Sequence, residues 1–572
     1  MQSVREAANF VWSIADILRG DYKQSDYGKV ILPFTVLRRL DCVLEATKEE
    51  VLKKHQQLKQ MNIQNLDPIL NQVAGYNFHN HSAYTFDKLI ADPNNLASNL
   101  RNYINGFSED AREIIEQFEF DNQIAKLEDN NLLFLVVKRF QEVDFHPEQI
   151  SSMEMGYVFE ELIRKFAEIS NETAGEHFTP REVIRLMVNL LFMDDRDILT
   201  KEGIVKTIYD CCAGTGGMLS VAQEFVHELN PDARLEMFGQ ELNPESYAIC
   251  KSDLIIKNQN PSNIKKGNSI SEDQLPHQKF DYLITNPPFG VKWKKIEKKV
   301  KDEFESQGFN GRFGAGVPSV SDGSFLFLLH LISKMKPEGS RLAIVFNGSP
   351  LFSGSPSSKK NESSIRQWII ENDLLEAIVA LPNQLFYNTG ISTYIWILSN
   401  HKAPERKGKV QLLNAIDFYK KMSKSLGDKR NELGEKDIEE ITRIYGEFTE
   451  GEHCKIFDNE DFGYRKVTVE RPERNAKGQP KLDKQGRPKP DSSLRDTESI
   501  PLKEDVEEYM KREVLPHVPD AWVNEVKTNI GYEVNFTKYF YQYKPLRSLE
   551  EIKADILALE QKTDGLIKEV IS

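Results

Sequence analysis

Short strand-like runs alternate with helical segments between Ile204 and Asn400, and this alternation restricts the possible folds more than any other feature. The runs Ile204–Asp210 and Leu235–Glu241 are separated by a helical pattern that begins near Met218. Strands that alternate with helices in this way form a parallel sheet covered by helices on both faces. The sequence therefore predicts an α/β domain over residues 166–400.

The regions on either side have different patterns. Residues 1–165 carry apolar side chains at helical spacing without strand-like alternation, which predicts a helical domain. Residues 401–545 are charged and are predicted to be mixed or mainly helical, with an exposed Lys/Pro/Gly-rich loop at 471–491. Residues 546–572 are predicted to form a terminal helix with one apolar side, which either packs on its own domain or docks to a partner.

Composition restricts the class of protein. A chain of 572 residues is too long for one hydrophobic core, so several domains are expected. The net charge of −14 argues against a protein that coats nucleic acid unaided, because such binding depends on Lys and Arg. The five cysteines show no spacing typical of zinc sites, so no metal is predicted. No export signal, membrane-spanning run or internal repeat is evident, and we expect a cytoplasmic protein.

The turn after the first strand combines an acid with glycines. Asp210 ends the strand, and Ala213-Gly214-Thr215-Gly216-Gly217 leads into the next helix. Glycines let a ligand approach the backbone closely, and doubly wound folds bind nucleotide-like cofactors at this turn. Glu241 ends the next strand, where such folds place a carboxylate on ribose hydroxyls. The Gly-x-Gly-Gly spacing is not that of dinucleotide-binding proteins, and the other interpretation is an ordinary tight turn with a solvated acid.

A second polar corner follows the apolar run Phe280–Thr285, with the sequence Asn286-Pro287-Pro288-Phe289. Two prolines remove two backbone donors and fix φ, so the Asn286 carboxamide and the Pro287 carbonyl can be held as acceptors. Fixed acceptors suit the exocyclic amine of a nucleobase, whose lone pair is otherwise delocalised into the ring. Phe289 could then stack on the base. The alternative is a proline-rich turn without a chemical role.

A polar loop precedes the α/β region, with the sequence Glu176-His177-Phe178-Thr179-Pro180-Arg181. It leads into a helix predicted over Glu182–Leu191, with Thr179 as the capping residue and Pro180 in the first turn. By itself this pattern is an ordinary helix start.

The glycine turn and the Asn-Pro-Pro-Phe corner together resemble the class I S-adenosylmethionine-dependent methyltransferases that modify the N6 amine of adenine. The loop Glu176–Arg181 resembles the segment that precedes this core in the modification subunit of Type I restriction-modification systems. Similarity to that family continues in Asp16–Gly20, Val36–Asp41 and Asp461–Lys466. The resemblance implies a class I methyltransferase fold with a Rossmann-like mixed sheet, an N-terminal helical domain and a C-terminal helical extension.

The resemblance also implies the activity and its residues: an adenine-specific DNA methyltransferase that uses S-adenosylmethionine and no metal. The implied cofactor-binding residues are Glu176, His177, Phe178, Thr179, Pro180, Arg181, Asp210, Ala213, Gly214, Thr215, Gly216, Gly217 and Glu241. The implied catalytic residues are Asn286, Pro287, Pro288 and Phe289. Asn286 and Pro287 would accept the N6 hydrogens, and Phe289 would stack on the flipped adenine. Many relatives have an acid near the cofactor adenine where this chain has Gly267-Asn268-Ser269, and an amide there can still hydrogen-bond the ring.

The implied partners are DNA, a specificity subunit and a restriction subunit. In that arrangement the specificity subunit reads the DNA sequence and is flanked by two modification subunits. Two alternatives remain at this point. A methyltransferase of the same class could act on RNA guanine or protein glutamine, because the corner suits any planar amine. The chain could also be a catalytically silent scaffold.

Overall fold

The computed structural model of the protein describes residues 2–61, 63, 65–170, 179–195, 199–201, 203–358, 360–387, 389–541 and 548–559. The chain divides into two compact units, Met1–Val534 and Asn535–Ser572. In the described ranges, no helix is long and apolar enough to cross a membrane.

The N-terminal region of the first unit is helical, as predicted. Its helices are α1 Gln2–Leu18, α2 Tyr27–Leu44, α3 Lys48–Lys59, α4 Asp67–Ala74, α5 Phe86–Ile90, α6 Leu96–Asn105, α7 Glu109–Glu116, α8 Phe120–Asp129, α9 Leu133–Gln141 and α10 Ser152–Ser170. They enclose one apolar core, which also includes Ala248, Ile249 and Ile255. Because those three residues belong to a helix of the α/β region, the helical region packs directly on it.

A large mixed sheet forms the centre of the first unit. Its strands are β1 Val205–Asp210, β2 Arg234–Glu241, β3 Ile264–Lys266, β4 Tyr282–Thr285, β5 Arg341–Asn347, β6 Leu375–Ala380, β7 Thr393–Ser399, β8 Lys409–Asn414 and β11 Cys454–Asp458. In space their order is β11-β8-β6-β7-β5-β4-β1-β2-β3. Five of the pairings are parallel, whereas β7 is antiparallel to both β5 and β6. The sheet is therefore mixed, as the family resemblance implies.

Helices cover this sheet and connect its strands. They are α11 Arg181–Phe192, α12 Gly217–Leu229, α13 Pro244–Ile256, α14 Glu297–Gln307, α15 Ser324–Ser333, α16 Ser349–Phe352, α17 Glu362–Glu371 and α18 Glu435–Glu447. The inward faces of α11 and α12 share a core with the central strands, and β5 and β6 are buried along nearly their whole length. Burial on both faces explains why the sequences of these strands are continuous runs of apolar residues.

The mainly helical prediction for residues 401–545 is wrong. Besides β8 and β11, this region forms the pair β9 Lys420–Leu426 and β10 Lys429–Glu432 and a three-stranded sheet of β12 Gly463–Glu470, β13 Asp496–Pro501 and β14 Trp522–Tyr532. The short helix α19 Val506–Tyr509 and the π-helical turn Met510–Val514 pack on that sheet and share a small core with it. The strands were missed because charged side chains occupy many of their positions, which hides the alternation of apolar and polar residues.

The predicted exposure of the 471–491 loop is confirmed, since residues 474–490 are exposed apart from a half-buried Asp483. The second unit contains α20 Phe536–Phe540 and a helical stretch at 549–559. The rest of the predicted terminal helix lies outside the described residues. The boundaries at 165 and 400 stay predictions, because both fall inside one compact unit.

Candidate active site

Three neighbouring parallel strands place the polar corners at one edge of the sheet. β1 pairs with β4 on one side and with β2 on the other. The carboxyl ends of parallel strands meet at one edge, which is where open α/β sheets bind ligands. The glycine turn after β1, Glu241 at the end of β2 and Asn286 after β4 therefore converge.

The glycine turn needs glycine at two positions for different reasons. Gly214 and Gly216 have φ of +54° and +85°, a backbone region that residues other than glycine rarely adopt. A Cβ atom on Gly216 would lie 2.9 Å from the Cys250 Sγ atom of α13, whereas one on Gly214 would meet nothing within 4 Å. The backbone at Gly216 thus packs closely on α13, and the backbone at Gly214 is open to a ligand.

Glu241 holds the glycine turn against the end of β2. Its Oε2 atom accepts a hydrogen bond from the Gly214 backbone N–H at 2.7 Å, and Oε1 accepts one from the Asn243 N–H at 2.7 Å. Glu241 is therefore fixed in orientation where it lines the cleft.

Asp210 connects β1 to β4 beneath the turn. Its Oδ1 atom accepts hydrogen bonds from the Thr285 hydroxyl at 2.7 Å and from the Cys212 N–H at 2.9 Å. Burial raises the pKa of Asp210 to about 7, although both hydrogen bonds act in the opposite direction. A buried carboxyl group with this pKa becomes more acidic when a cation binds nearby.

A cleft of about 470 Å³ opens between these residues. The predicted site residues that line it are Thr179, Asp210, Ala213, Gly214, Thr215, Gly217, Glu241, Asn286 and Pro288. The predicted residues that lie outside its lining are Pro180, Arg181, Gly216, Pro287 and Phe289. Glu176, His177 and Phe178 lie outside the described residues. The structure thus brings both sequence corners to one cavity.

Asn286 and Thr179 contact each other across the cleft. The Asn286 Nδ2 atom donates a hydrogen bond to the Thr179 hydroxyl at 2.8 Å. The prediction that Thr179 caps the following helix is wrong, because the N-cap of α11 is Pro180 and no side chain bonds the first turn. The hydroxyl of Thr179 instead restrains the Asn286 carboxamide.

Arg181 lies behind the glycine turn. Its guanidinium donates to Glu160 of α10 at 2.7 Å and to the Gly217 carbonyl at 3.2 Å, and it stacks over the Tyr157 ring at 4.8 Å. Burial raises the pKa of Glu160, and the charge of Arg181 opposes that shift. Arg181 therefore supports the turn from below and connects it to the helical region.

Phe289 is partly buried and stands edge-on to Phe386, with ring centroids 6.1 Å apart and an interplanar angle of 69°. Edge-to-face pairs restrain a ring through the attraction of its positive edge to the other ring's face. The second ring therefore fixes the orientation of Phe289 just beyond the cleft lining.

Comparison with known proteins agrees with this geometry. The family described as N-6 DNA Methylase matches residues 151–471, which is more than half of the chain. The chain belongs to this family. The HsdM N-terminal domain matches residues 7–140, the helical region that packs on α13 of this N-6 DNA methylase.

Relatives of this N-6 DNA methylase match between about half and four fifths of its length. The Type I restriction enzyme MjaIX methylase subunit of Methanocaldococcus jannaschii is 28% identical over 493 residues, which cover 82% of each chain. The HindI methylase subunit of Haemophilus influenzae is 30% identical over 266 residues, 46% of this chain and 54% of that relative. A crystal structure also aligns with this chain, that of a type I restriction-modification methyltransferase subunit from Streptococcus thermophilus. The alignment has a TM-score of 0.63 at 23% identity and covers 80% of this chain and 97% of that one, which supports the fold.

These findings confirm the recognition made from the motifs. The chain is an adenine-specific DNA methyltransferase and a modification subunit of the Type I restriction-modification kind. The alternatives of an RNA guanine or protein glutamine methyltransferase and of a silent scaffold are not favoured.

Sequence reasoning missed several residues that line the cleft of this N-6 DNA methylase. They are Glu160, Ile184, Cys211, Cys212, Met218, Leu242, Asn243, Pro244, Ser246 and Phe327. Asn243 had a detectable signal, because it precedes Pro244 at a helix start and caps α13 through hydrogen bonds from the Glu245 and Ser246 N–H groups. Glu160 and Phe327 had none, since each lies on a helix far from the motifs in sequence.

Proposed function

We propose that this N-6 DNA methylase transfers the methyl group of S-adenosylmethionine to the N6 atom of a flipped adenine held by Asn286 and Pro287. The observation that carries the proposal is the shared cleft, lined by the glycine turn and Glu241 on one side and by Asn286 and Pro288 on the other. Donor and acceptor sites in one cavity are what a direct transfer between two bound molecules requires.

The cofactor side of the cleft fits an adenosine derivative that carries an amino acid. The volume of the whole cleft, about 470 Å³, is in the usual range for ligand sites, about 300–1,000 Å³. The backbone at Gly214 would pass beneath the ligand, and Glu241 would accept the ribose hydroxyls. Asn268 and Ser269 line the cleft where the adenine ring would lie. The carboxyl of Asp210 would ionise opposite the cationic portion of the ligand.

S-adenosylmethionine supplies an electrophilic methyl group on a sulfonium, which departs as a neutral thioether. The protein therefore has to orient the amine and to stabilise the positive charge that develops on it. The Asn286 Oδ1 atom and the Pro287 carbonyl oxygen would accept the two N6 hydrogens. The hydrogen bond from Asn286 Nδ2 to the Thr179 hydroxyl restrains the plane of the carboxamide.

The cysteines beside the site have no nucleophilic role in this proposal. A hydrogen bond with Cys211 and burial raise the pKa of Cys212 well above its usual range. A thiol must ionise to act as a nucleophile. Cys212 stays neutral, and direct transfer needs no covalent enzyme intermediate.

The proposal includes the partners of a Type I complex. Relatives are named as methylase subunits of Type I restriction enzymes, which implies separate subunits for other tasks. A net charge of −14 also leaves this chain poorly suited to hold DNA by itself. We infer a specificity subunit that reads the DNA and is flanked by two copies of this chain, with a restriction subunit that joins them.

The test is the variant Asn286→Ala, assayed for radiolabel transfer to DNA in the presence of the co-purified specificity subunit. Loss of one fixed transition-state partner should lower kcat by about 10²-fold or more, with cofactor affinity nearly unchanged. The matched control is Asn268→Ala, which removes an amide from the cofactor side. It should raise the KM for cofactor and spare kcat. Near-normal transfer by Asn286→Ala would refute the proposed role.

A further inference from the structure

The exposed segment 471–491 contains a tandem repeat with a period of eight residues. Asn475-Ala476-Lys477-Gly478-Gln479-Pro480-Lys481 aligns with Asp483-Lys484-Gln485-Gly486-Arg487-Pro488-Lys489. The sequence expectation of no internal repeat is wrong here. The repeat is short and its first positions differ, so only the shared structure of the two copies makes it evident.

Each copy folds into the same turn. The side chains of Asn475 and Asp483 accept two backbone N–H bonds each, at 2.8–3.1 Å, from the residues two and four positions later. The glycines Gly478 and Gly486 have φ of +77° and +78°. Asn and Asp commonly stabilise turns in this way, and glycine tolerates the left-handed position.

The two turns and the stalk that carries them meet at a three-way junction. The Glu473 N–H donates a hydrogen bond to the Lys489 carbonyl at 2.8 Å, and the Lys489 N–H donates one to the Lys481 carbonyl at 2.8 Å. The Lys481 N–H closes the ring by donating to the Glu473 carbonyl at 2.7 Å. The Glu473 carboxylate also pairs with both lysines, at 2.5 and 2.7 Å. We call residues 471–491 the cloverleaf, since one ring of three hydrogen bonds joins the two turns and the stalk.

The cloverleaf is a basic feature on an acidic chain. It contains seven Lys and Arg residues and three Asp and Glu residues, whereas the whole chain has a net charge of −14. Glu473 and Asp483 neutralise some of these cations. In the described part of the chain, Lys477 and Lys484 have no ion pair, and each is exposed in one of the two turns.

The composition of the surface favours phosphate over a protein partner. The cloverleaf has no aromatic residue, and Leu482 is its one large aliphatic side chain. Protein interfaces depend on buried aromatic and aliphatic anchors, whereas nonspecific DNA contacts use Lys and Arg on the backbone. Two exposed lysines on preorganised turns match the pattern of DNA-backbone contacts.

The sheet that supports the cloverleaf is anchored near the active-site edge by the first residues of β12, and the cloverleaf follows that strand at its other end, after Glu470. The supporting strands β12 and β14 pair so that Gly463 lies opposite Tyr532. Arg366 donates to the carbonyls of Tyr532 at 2.6 Å and of Pro350 at 3.0 Å. Pro350 follows β5, which runs parallel to β4 and so ends at the edge that carries Asn286.

We propose that the cloverleaf is a DNA-backbone contact, in which Lys477 and Lys484 bind phosphates. The inference takes from the proposed function only that DNA is the substrate. Its preorganised turns fix the backbone at both lysines, which lowers the ordering cost of binding.

The test measures binding of fluorescent duplex DNA by the full complex with its specificity subunit, from about 50 to 200 mM salt. In the variant Lys477→Ala/Lys484→Ala, the slope of log affinity against log salt should fall by about two, one for each phosphate contact. The rate of methyl transfer at saturating DNA should be unchanged. The matched control, Lys53→Ala/Lys59→Ala, removes two exposed lysines of α3 and should keep the slope.

Binding is read separately from methyl transfer, so failure of the catalytic proposal leaves this result interpretable. An unchanged slope in the cloverleaf variant would overturn the inference, as would an equal fall in the control, which would indicate a net-charge effect only. Loss of the specificity subunit from the cloverleaf variant on purification would identify a protein-docking surface and also overturn it.

Discussion

At the scale of single residues, the site combines groups whose orientation is fixed by a second group. Thr179 orients Asn286, and the Gly214 and Asn243 N–H groups orient Glu241. Asp210 differs from these, because its protonation state as well as its orientation is set by the fold. That property has a measurable consequence.

Affinity for S-adenosylmethionine should rise with pH through about 7, since the ligand is a cation and the Asp210 carboxyl has a pKa raised to about 7 by burial. Below that pH, affinity should fall by up to about tenfold per pH unit. The variant Asp210→Asn keeps the acceptor for Thr285 and Cys212 and should bind weakly without this pH dependence. Calorimetric titration at several pH values measures both.

The free energy of unfolding of the ligand-free protein should fall as pH rises, whereas the affinity for the cofactor should rise. The folded-state pKa of Asp210 lies above the ordinary value of about 3.9, so the folded protein binds the extra proton. Its contribution to the free energy of unfolding therefore falls as pH rises from about 4 to 7. A pH profile of Asp210→Asn that kept the full wild-type slope would contradict this assignment.

At the scale of elements, Arg181 joins three helices at the base of the glycine turn. It starts α11, pairs with Glu160 of α10 and donates to Gly217 at the start of α12. The space for it is tight, because a Cβ atom on Gly156 would lie 2.7 Å from its Nη2 atom. The helical region is thus coupled to the glycine turn through the ion pair of Arg181 with Glu160, whose side chains are 7% and 12% exposed.

We expect Arg181→Ala to lower the free energy of unfolding by about 3–5 kcal/mol, because it leaves Glu160 buried without its partner. The control is Arg185→Ala one turn along the same helix, whose pair with Glu435 is exposed and should contribute under about 1 kcal/mol. Denaturant unfolding measures both variants. In the double variant Arg181→Ala/Glu160→Leu the loss should be smaller than in Arg181→Ala alone, and strict additivity would contradict the coupling.

At the scale of the whole molecule, the candidate active site and an exposed apolar helix belong to different compact units. The first unit, Met1–Val534, contains the sheet, the cleft and the helical region. The helical stretch at 549–559 in the second unit exposes Leu549, Ile556 and Leu559 at 84%, 57% and 64%. An exposed apolar stripe on a helix is typical of docking to a partner.

Deletion of residues 542–572 should therefore leave the unfolding midpoint and cofactor binding of the protein unchanged and abolish co-purification with the specificity subunit. The point variant Leu549→Glu/Ile556→Glu should reproduce the loss of association, whereas Lys553→Ala should not. Pull-down from co-expressing cells measures this. A truncated chain that still retained the subunit would exclude this helix as the docking element.

Local chemistry in the sequence determined much of this protein. Glycines at 214 and 216, the paired prolines and apolar strands buried on both faces each impose a backbone conformation that depends on few neighbours. They predicted the α/β core, the family and nine of the residues that line the cleft.

Only the tertiary structure decided the rest, because the partners are distant in sequence. In the structure, Thr179 bonds to Asn286 and does not cap the following helix. Arg181 lies behind the glycine turn. Glu160 and Phe327 line the cleft. The tertiary structure also turned charged segments beyond residue 400 into strands, since pairing with neighbouring strands outweighed the local preference of their side chains.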